Sequence, residues 1–182
     1  MFPVCSSQIL IGLGSNLSGP WGTPAETVER AIGSFSDSEI FVLRASTILR
    51  TSPYGKLHQP SFANAVIAVT THLPPHALLK RLHTIEHRAG RKRGERWGPR
   101  VLDLDLLAYG DLVTRRPTHQ EWKAGRRHPL VLPHPELPLR PFVLRPIQEI
   151  APFWHHPISG LTAAQMGNRL MPARGGRILG RA

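Results

Sequence analysis

The segment Leu102-Asp103-Leu104-Asp105-Leu106 alternates strictly between apolar and acidic residues. A period of two belongs to a β-strand and not to a helix. On a strand, the three leucines enter a core together while Asp103 and Asp105 share the opposite face. The chain must therefore build a sheet packed against apolar side chains on one face and presenting polar groups on the other. The neighbouring sequence meets that demand. Residues 8–13 are a short apolar run read as a buried strand, ending in a turn at Gly14-Ser15-Asn16. Thr23-Pro24-Ala25-Glu26 has the form of a capping box with proline at the first helical position, and Val28, Ala31, Ile32 and Phe35 follow at helical spacing. Residues 40–50 read as a second strand, broken by Thr51-Ser52-Pro53-Tyr54-Gly55, and residues 62–71 as a third. Pro74-Pro75 opens a second helix with the stripe Leu78, Leu79, Leu82, Ile85 and Ala89, which Gly90 ends. Residues 101–109 are the fourth strand. The order β-α-β-β-α-β predicts an α+β fold of the ferredoxin-like kind, an antiparallel sheet with both helices on one face.

Beyond this core the pattern is less regular. Residues 112–133 are basic, contain proline and lack periodicity, so they read as a long loop. Phe142, Leu144, Ile147 and Ile150 suit a short helix beside the sheet, and Thr162-Ala163-Ala164-Gln165 has the form of another capping box. The tail, residues 171–182, holds three arginines and three glycines and is expected to be mobile. With no repeat and no linker, the 182 residues read as a single domain, 1–182, with a core over about 8–165.

The chain carries 23 Lys plus Arg against 12 Asp plus Glu, a formal charge of +11. Such a surface attracts polyanions: nucleic acid, an acidic membrane surface, or a phosphorylated small molecule. No stretch approaches the roughly 18 apolar residues of a membrane span, and the first residues lack a basic segment followed by an apolar run. Cys5 is the single cysteine. A cytoplasmic location is expected, with no membrane partner. RNA binding on a sheet of this kind would need aromatics exposed on the central strands. The fourth strand instead presents carboxylates, which repel phosphates unless a metal intervenes, so no nucleic-acid partner is expected.

Two carboxylates side by side repel each other unless a cation sits between them. Hard oxygen ligands suit Mg²⁺, which is held by one or two carboxylates plus substrate phosphates. A solvated strand face with two acidic residues is the other reading, and this segment alone leaves both open. Residues 90–100, just before it, contain four arginines, one lysine and three glycines, with Trp97 among them. Arginine presents a fork of donors matched to phosphate oxygens, and glycines let a loop change shape. The pair of segments resembles a basic lid beside a metal site, as polyphosphate chemistry requires. His134 and Arg140 form a second cluster suited to phosphate or nucleotide. Gly12-Leu13-Gly14 invites a dinucleotide-binding reading, which fails because Leu17 stands where a third glycine belongs. No Walker A sequence occurs, so an ATP site here is not a P-loop, and a tight turn accounts for these glycines.

Six motifs occur in one chain in this order: Gly12-Leu13-Gly14-Ser15-Asn16, Thr51-Ser52-Pro53, Phe62-Ala63-Asn64, Arg96-Trp97-Gly98-Pro99-Arg100, Leu102-Asp103-Leu104-Asp105, and Pro133-His134 through to Phe142. Together they resemble the 6-hydroxymethyl-7,8-dihydropterin pyrophosphokinases of folate biosynthesis, over nearly the whole chain. The resemblance implies a ferredoxin-like α+β sandwich that moves pyrophosphate from ATP to the hydroxymethyl group of the dihydropterin, releasing AMP. It implies that Asp103 and Asp105 hold two Mg²⁺ ions, and that Arg91 and Arg100 meet the phosphates as catalytic residues. It also implies that Trp97 closes over the substrates. Glu86, Arg93, His134 and Arg140 would hold ATP or its metals. Phe62 and Phe142 would sandwich the pterin ring, Asn64 would hydrogen-bond it, and groups at Thr51, Ser52 and Tyr54 would read its edge. Small-molecule substrates and a monomeric chain are expected. Three departures stand out. Phe62 replaces the family's common tyrosine, and His83 replaces a common glutamine. The loop before His134 carries an insertion of about ten residues, with Trp122, Lys123, Arg126 and Arg127.

Overall fold

In the computed structural model, which describes residues 8–35, 39–54, 58–92, 98–114, 130–170 and 176–182, the alternating segment lies at the edge of an antiparallel sheet. Six strands are found among these residues: β1 Ile9–Ser15, β2 Ile40–Ala45, β3 Leu49–Thr51, β4 Phe62–Thr71, β5 Asp103–Tyr109 and β6 Ile178–Arg181. Four α-helices accompany them: α1 Pro24–Ser34, α2 Pro75–Arg88, α3 Pro141–Ile150 and α4 Ala163–Asn168. The sheet runs β5-β1-β4-β3-β6, with β2 also paired to β4.

The two faces follow from alternation along the strands. Ile9, Ile11 and Leu13 of β1 join Leu104 and Leu106 of β5 under α1 and α2, where Val28, Ala31, Leu78, Leu82 and Ile85 are buried. Thr23 caps α1: its hydroxyl accepts from the Glu26 N–H at 3.4 Å, while the Thr23 N–H donates to Glu26 Oε2 at 2.7 Å. Both expected helices thus cover one face. Leu10, Val66, Ala68 and Leu107 point the other way, into a second cluster with Val143, Leu144 and Ile147 of α3 and Met166 of α4. A third layer therefore covers only part of the opposite face, and the uncovered part is where Asp103 and Asp105 lie.

Three expectations change. Gly12 and Gly14 lie inside β1 and not in a turn. The Gly-Ser-Asn chemistry that favours turns locally is overridden by pairing on both sides, with β4 and β5. The second strand is two strands, because Ser46 and Thr47 interrupt it. The Ser46 hydroxyl accepts from the Val66 N–H at 3.0 Å, and the Thr47 N–H and hydroxyl both donate to Glu149 Oε1, at 3.0 and 2.8 Å. Side chains of this kind draw backbone groups out of a regular ladder. The tail, expected to be mobile, contributes β6, which pairs with β3 through Leu49↔Arg181, Arg50↔Gly180 and Thr51↔Ile178. All four of its residues are exposed, so backbone pairing forms this strand and no apolar periodicity announces it. Among the described residues, no helix is long and apolar enough to cross a membrane.

Candidate functional site

The central strand sets the site. Gly14 of β1 pairs with Asp103 on one side and Asn64 on the other, and Gly12 pairs with Asp105 and Val66. Asp103, Gly14 and Asn64 thus form one row across three strands. Missing side chains at the two glycines open a cavity of about 400 Å³ above them. A Cβ at Gly14 would stand 3.0 Å from Asn64 Oδ1, and one at Gly12 would stand 3.3 Å from Leu107 Cδ1. Nothing larger than glycine leaves this floor clear.

One half of the cavity is charged. Arg91 Nη1 lies 2.7 Å from Asp103 Oδ1, and Arg100 Nη1 lies 2.5 Å from Asp103 Oδ2. Arg140, on the turn before α3, reaches Asp105 Oδ2 at 3.1 Å and Glu136 Oε2 at 2.6 Å. Burial, then the neighbouring Asp105 carboxylate, pushes the Asp103 carboxyl up, against the pull of Arg100 and Arg91. Burial works against charge on Arg140 too, but Asp105 and Glu136 outweigh it and hold its pKa above the ordinary value. His134 is pushed down, chiefly by burial. Its Nδ1 accepts from the Glu136 N–H at 3.2 Å, so the neutral ring carries its proton on Nε2.

The other half is aromatic and neutral. Thr51, Ser52, Tyr54, Phe62, Asn64 and Phe142 line it. Asn64 Nδ2 donates to Thr51 Oγ1 at 2.7 Å, which fixes the amide and leaves its oxygen as the free acceptor. Tyr54 meets the edge of Phe142 with ring centroids 6.0 Å apart. The Arg140 guanidinium carbon is also 6.0 Å from the Phe142 centroid, so charged and aromatic halves adjoin.

The structure brings eleven of the expected residues to this cavity: Thr51, Ser52, Tyr54, Phe62, Asn64, Arg100, Asp103, Asp105, His134, Arg140 and Phe142. Arg91 touches it through Asp103. Glu86 stands behind Arg91 on α2, buried, and is not on the cavity wall. It forms an ion pair with Arg91 Nη1 and accepts from the Leu104 N–H at 2.8 Å. Arg93 and Trp97 lie outside the described residues, as do Trp122, Lys123, Arg126 and Arg127.

Sequence reasoning missed Gly12 and Gly14 as the floor, Glu136 as the second partner of Arg140, and Asn16. Asn16 is 2% exposed. Its Oδ1 accepts from the Arg100 N–H at 2.7 Å, and its Nδ2 donates to Gln59 Oε1 at 3.1 Å and the Pro60 carbonyl at 3.3 Å. It ties the charged half to the aromatic half. The four-residue spacing of Glu136 and Arg140 is a visible signal; for Asn16 the signal is its place at the end of the Gly12-Leu13-Gly14-Ser15-Asn16 motif.

Glu86 offers a test of the buried electrostatics. Burial raises its pKa from an ordinary 4.5 to about 7, with Arg91 and the Leu104 N–H opposing. A carboxyl whose pKa is higher in the fold than in the unfolded chain contributes most at low pH. That contribution falls as pH rises from about 4.5 to about 7. Glu86→Gln removes the titration and keeps an acceptor for Leu104. Its stability relative to the parent should therefore shift in its favour by about 3 kcal/mol across that window and stay level outside it. Denaturant melts at pH 4, 6 and 8 check this; a pH-independent difference would count against the buried charge.

Among the described residues, no cluster of three or more His, Cys, Asp or Glu forms a ready metal cage. Asp103 and Asp105 nonetheless fit a hard divalent cation. Their oxygens share one face, each is already answered by cationic side chains, and the open cavity leaves room for water and phosphate ligands.

Comparison with known proteins agrees with this geometry. The family described as 7,8-dihydro-6-hydroxymethylpterin-pyrophosphokinase (HPPK) matches residues 10–152. A 2-amino-4-hydroxy-6-hydroxymethyldihydropteridine pyrophosphokinase of Synechocystis is 37% identical over 166 residues, covering 91% of this chain and 77% of that protein. One from Methylorubrum extorquens is 40% identical over 146 residues, covering 80% of this chain and 84% of its own. Among solved structures, Plasmodium falciparum HPPK-DHPS, wild type with SDX-DHP, superposes with a TM-score of 0.63 at 13% identity. That match covers 90% of this chain and 43% of the longer one, and it speaks for the fold alone. The match spans β1 to α3, the stretch that builds both halves of the cavity, and on that ground the chain belongs to the 7,8-dihydro-6-hydroxymethylpterin-pyrophosphokinase family.

Proposed function

We propose that this chain, as one domain over 1–182, transfers the pyrophosphoryl group of ATP to the hydroxymethyl oxygen of 6-hydroxymethyl-7,8-dihydropterin, giving the pterin diphosphate and AMP. The observation that carries the reading is the single cavity in which Asp103, Asp105, Arg100 and Arg140 adjoin Phe62, Asn64 and Phe142. One half suits a polyphosphate and the other a flat, hydrogen-bonding ring. The strand order, with β1 between β4 and β5 and two helices on one face, supports a ferredoxin-like core.

Asp103 and Asp105 are the residues that would hold two Mg²⁺ ions, which supply neutralisation of charge on the phosphate oxygens. The chain's own residues do the rest. Arg91, Arg100 and Arg140 exchange carboxylate partners for phosphate oxygens when the nucleotide enters, so their charge is placed before the reaction begins. Phe62 and Phe142 stack on the ring, and Asn64 Oδ1 accepts from a ring N–H while Thr51 holds the amide. This fixes the hydroxymethyl oxygen for in-line attack on the β-phosphorus, with AMP leaving. Positioning and charge neutralisation account for the rate, and no covalent intermediate is needed.

Mixing the protein with Mg-ATP and the hydroxymethyl dihydropterin should release AMP in step with the pterin diphosphate. AMP formation at the same rate without the pterin would refute the transfer. Phe142→Ala or Phe62→Ala should weaken pterin binding about tenfold or more and nucleotide binding by less than threefold, because stacking area is lost for one ligand only. Calorimetry with each ligand separates the two effects.

A further inference from the structure

The C-terminal segment does more than lengthen the sheet. The Gly176 N–H donates to the Pro53 carbonyl at 3.1 Å. The Ser52 N–H donates to the Arg177 carbonyl at 2.9 Å, and the Arg177 N–H returns a bond to Ser52 Oγ at 2.9 Å. Two residues of the tail therefore hold both the main chain and the hydroxyl of a residue on the aromatic wall. Gly176 itself lies on Phe142. An added Cβ there would stand 2.7 Å from Phe142 Cε1 and 2.8 Å from Cδ1, and 3.3 Å from Tyr54 Cδ2. The φ of Gly176 is +68°, in the region that glycine tolerates and other residues rarely adopt. Phe142 is thus held by the Gly176 backbone and by Tyr54, and it also lines the cavity.

We propose that Gly176 and Arg177 are positioning residues for the ring-bearing substrate: the segment leading into β6 backs the aromatic wall, setting the plane of Phe142 and the main chain at Ser52. The inference rests on the assignment of this half of the cavity to the pterin. It predicts that a change at Gly176 or Arg177, neither of which hydrogen-bonds to Asp103, Asp105, Arg100 or Arg140, acts on one substrate and not the other. A tail that served only as an edge strand would alter stability and leave the balance between the two ligands unchanged.

The test uses the full chain with three substitutions. Gly176→Ala puts a methyl group against Phe142. Arg177→Pro removes the N–H given to Ser52 Oγ, and it serves if Gly176→Ala fails to fold. Gly180→Ala is the control: it strains β6, just beyond these residues, at φ +140°, with nothing within 4 Å of the new Cβ. Affinities for the hydroxymethyl dihydropterin and for a non-hydrolysable Mg-ATP analogue are measured by calorimetry, with thermal melts alongside. Gly176→Ala and Arg177→Pro should weaken pterin binding about five- to tenfold and change nucleotide binding less than twofold, while Gly180→Ala lowers the melting temperature without separating the two. Equal changes on both ligands, or unchanged pterin affinity in a folded variant, would overturn the proposal. If the unsubstituted chain itself binds no pterin, the functional assignment falls and this inference falls with it; a parent that binds pterin beside an unaffected Gly176→Ala overturns the inference alone.

Discussion

Asp103→Asn and Asp105→Asn should each lower AMP formation by roughly two to three orders of magnitude, at saturating Mg-ATP and pterin, in folded proteins, with Asp103→Asn melting no earlier than the parent. The two carboxylates provide the only acidic oxygens on β5, and they face the cavity directly opposite the glycines of β1. Asparagine is nearly isosteric but contributes no charge to hold a cation. The stability half of the prediction comes from Asp103. Burial and Asp105 push its carboxyl up, so once ionised it is held in the fold at a cost. Asparagine removes that cost and keeps an oxygen for Arg100. An AMP assay with paired melts reads both halves. Near-parental turnover by either variant at ordinary Mg²⁺ would remove the carboxylates from the reaction.

The second large effect is expected at Arg100→Ala. The turnover number should fall roughly 10²- to 10³-fold while affinity for Mg-ATP changes less than about fivefold. The main chain here does not depend on the guanidinium. The Arg100 N–H donates to Asn16 Oδ1 at 2.7 Å, and its carbonyl accepts from the N–H groups of Asn16 and Leu17, at 3.0 and 3.1 Å. Truncation therefore removes a charge without moving the backbone that carries it. In the free protein that charge rests on Asp103. Its useful contact forms only when phosphate replaces the carboxylate and negative charge shifts toward the leaving group. Single-turnover kinetics beside equilibrium binding separates the two quantities. Parallel losses in both would make Arg100 a simple clamp.

Much of this arrangement was legible in the chain because local chemistry and tertiary structure agree. Thr23-Pro24-Ala25-Glu26 and Thr162-Ala163-Ala164-Gln165 cap helices as their spacing predicts. The Leu-Asp alternation sends its leucines into the core and its carboxylates to one face. The failures share a cause. Gly12 and Gly14 suggest a turn because glycine, serine and asparagine favour turns, whereas strands far away in sequence extend the pairing through them. The break after β2 depends on Glu149, about a hundred residues beyond Thr47, and Asn16 reaches Arg100 across 84 residues. Backbone pairing alone forms β6. None of these has a periodic signature, because each is decided by a partner that becomes a neighbour only on folding. The resemblance implies a nucleotide role for Glu86; the side chain lies behind Arg91 and accepts from the backbone of β5.

The glycine floor of β1 also bears on how such a protein changes under selection. A central strand is where the chain has most to gain from side chains, since each glycine there forgoes roughly 0.5–1 kcal/mol against alanine. Breeding this protein for heat resistance alone would favour alanine at position 12, where the new methyl group meets only the Leu107 side chain, and reward the variants that have begun to close their own cavity. A library of thermostable descendants chosen by melting temperature would accumulate well-folded, inactive molecules. One chosen by turnover would keep both glycines and find its added stability elsewhere, on the helical face of the sheet.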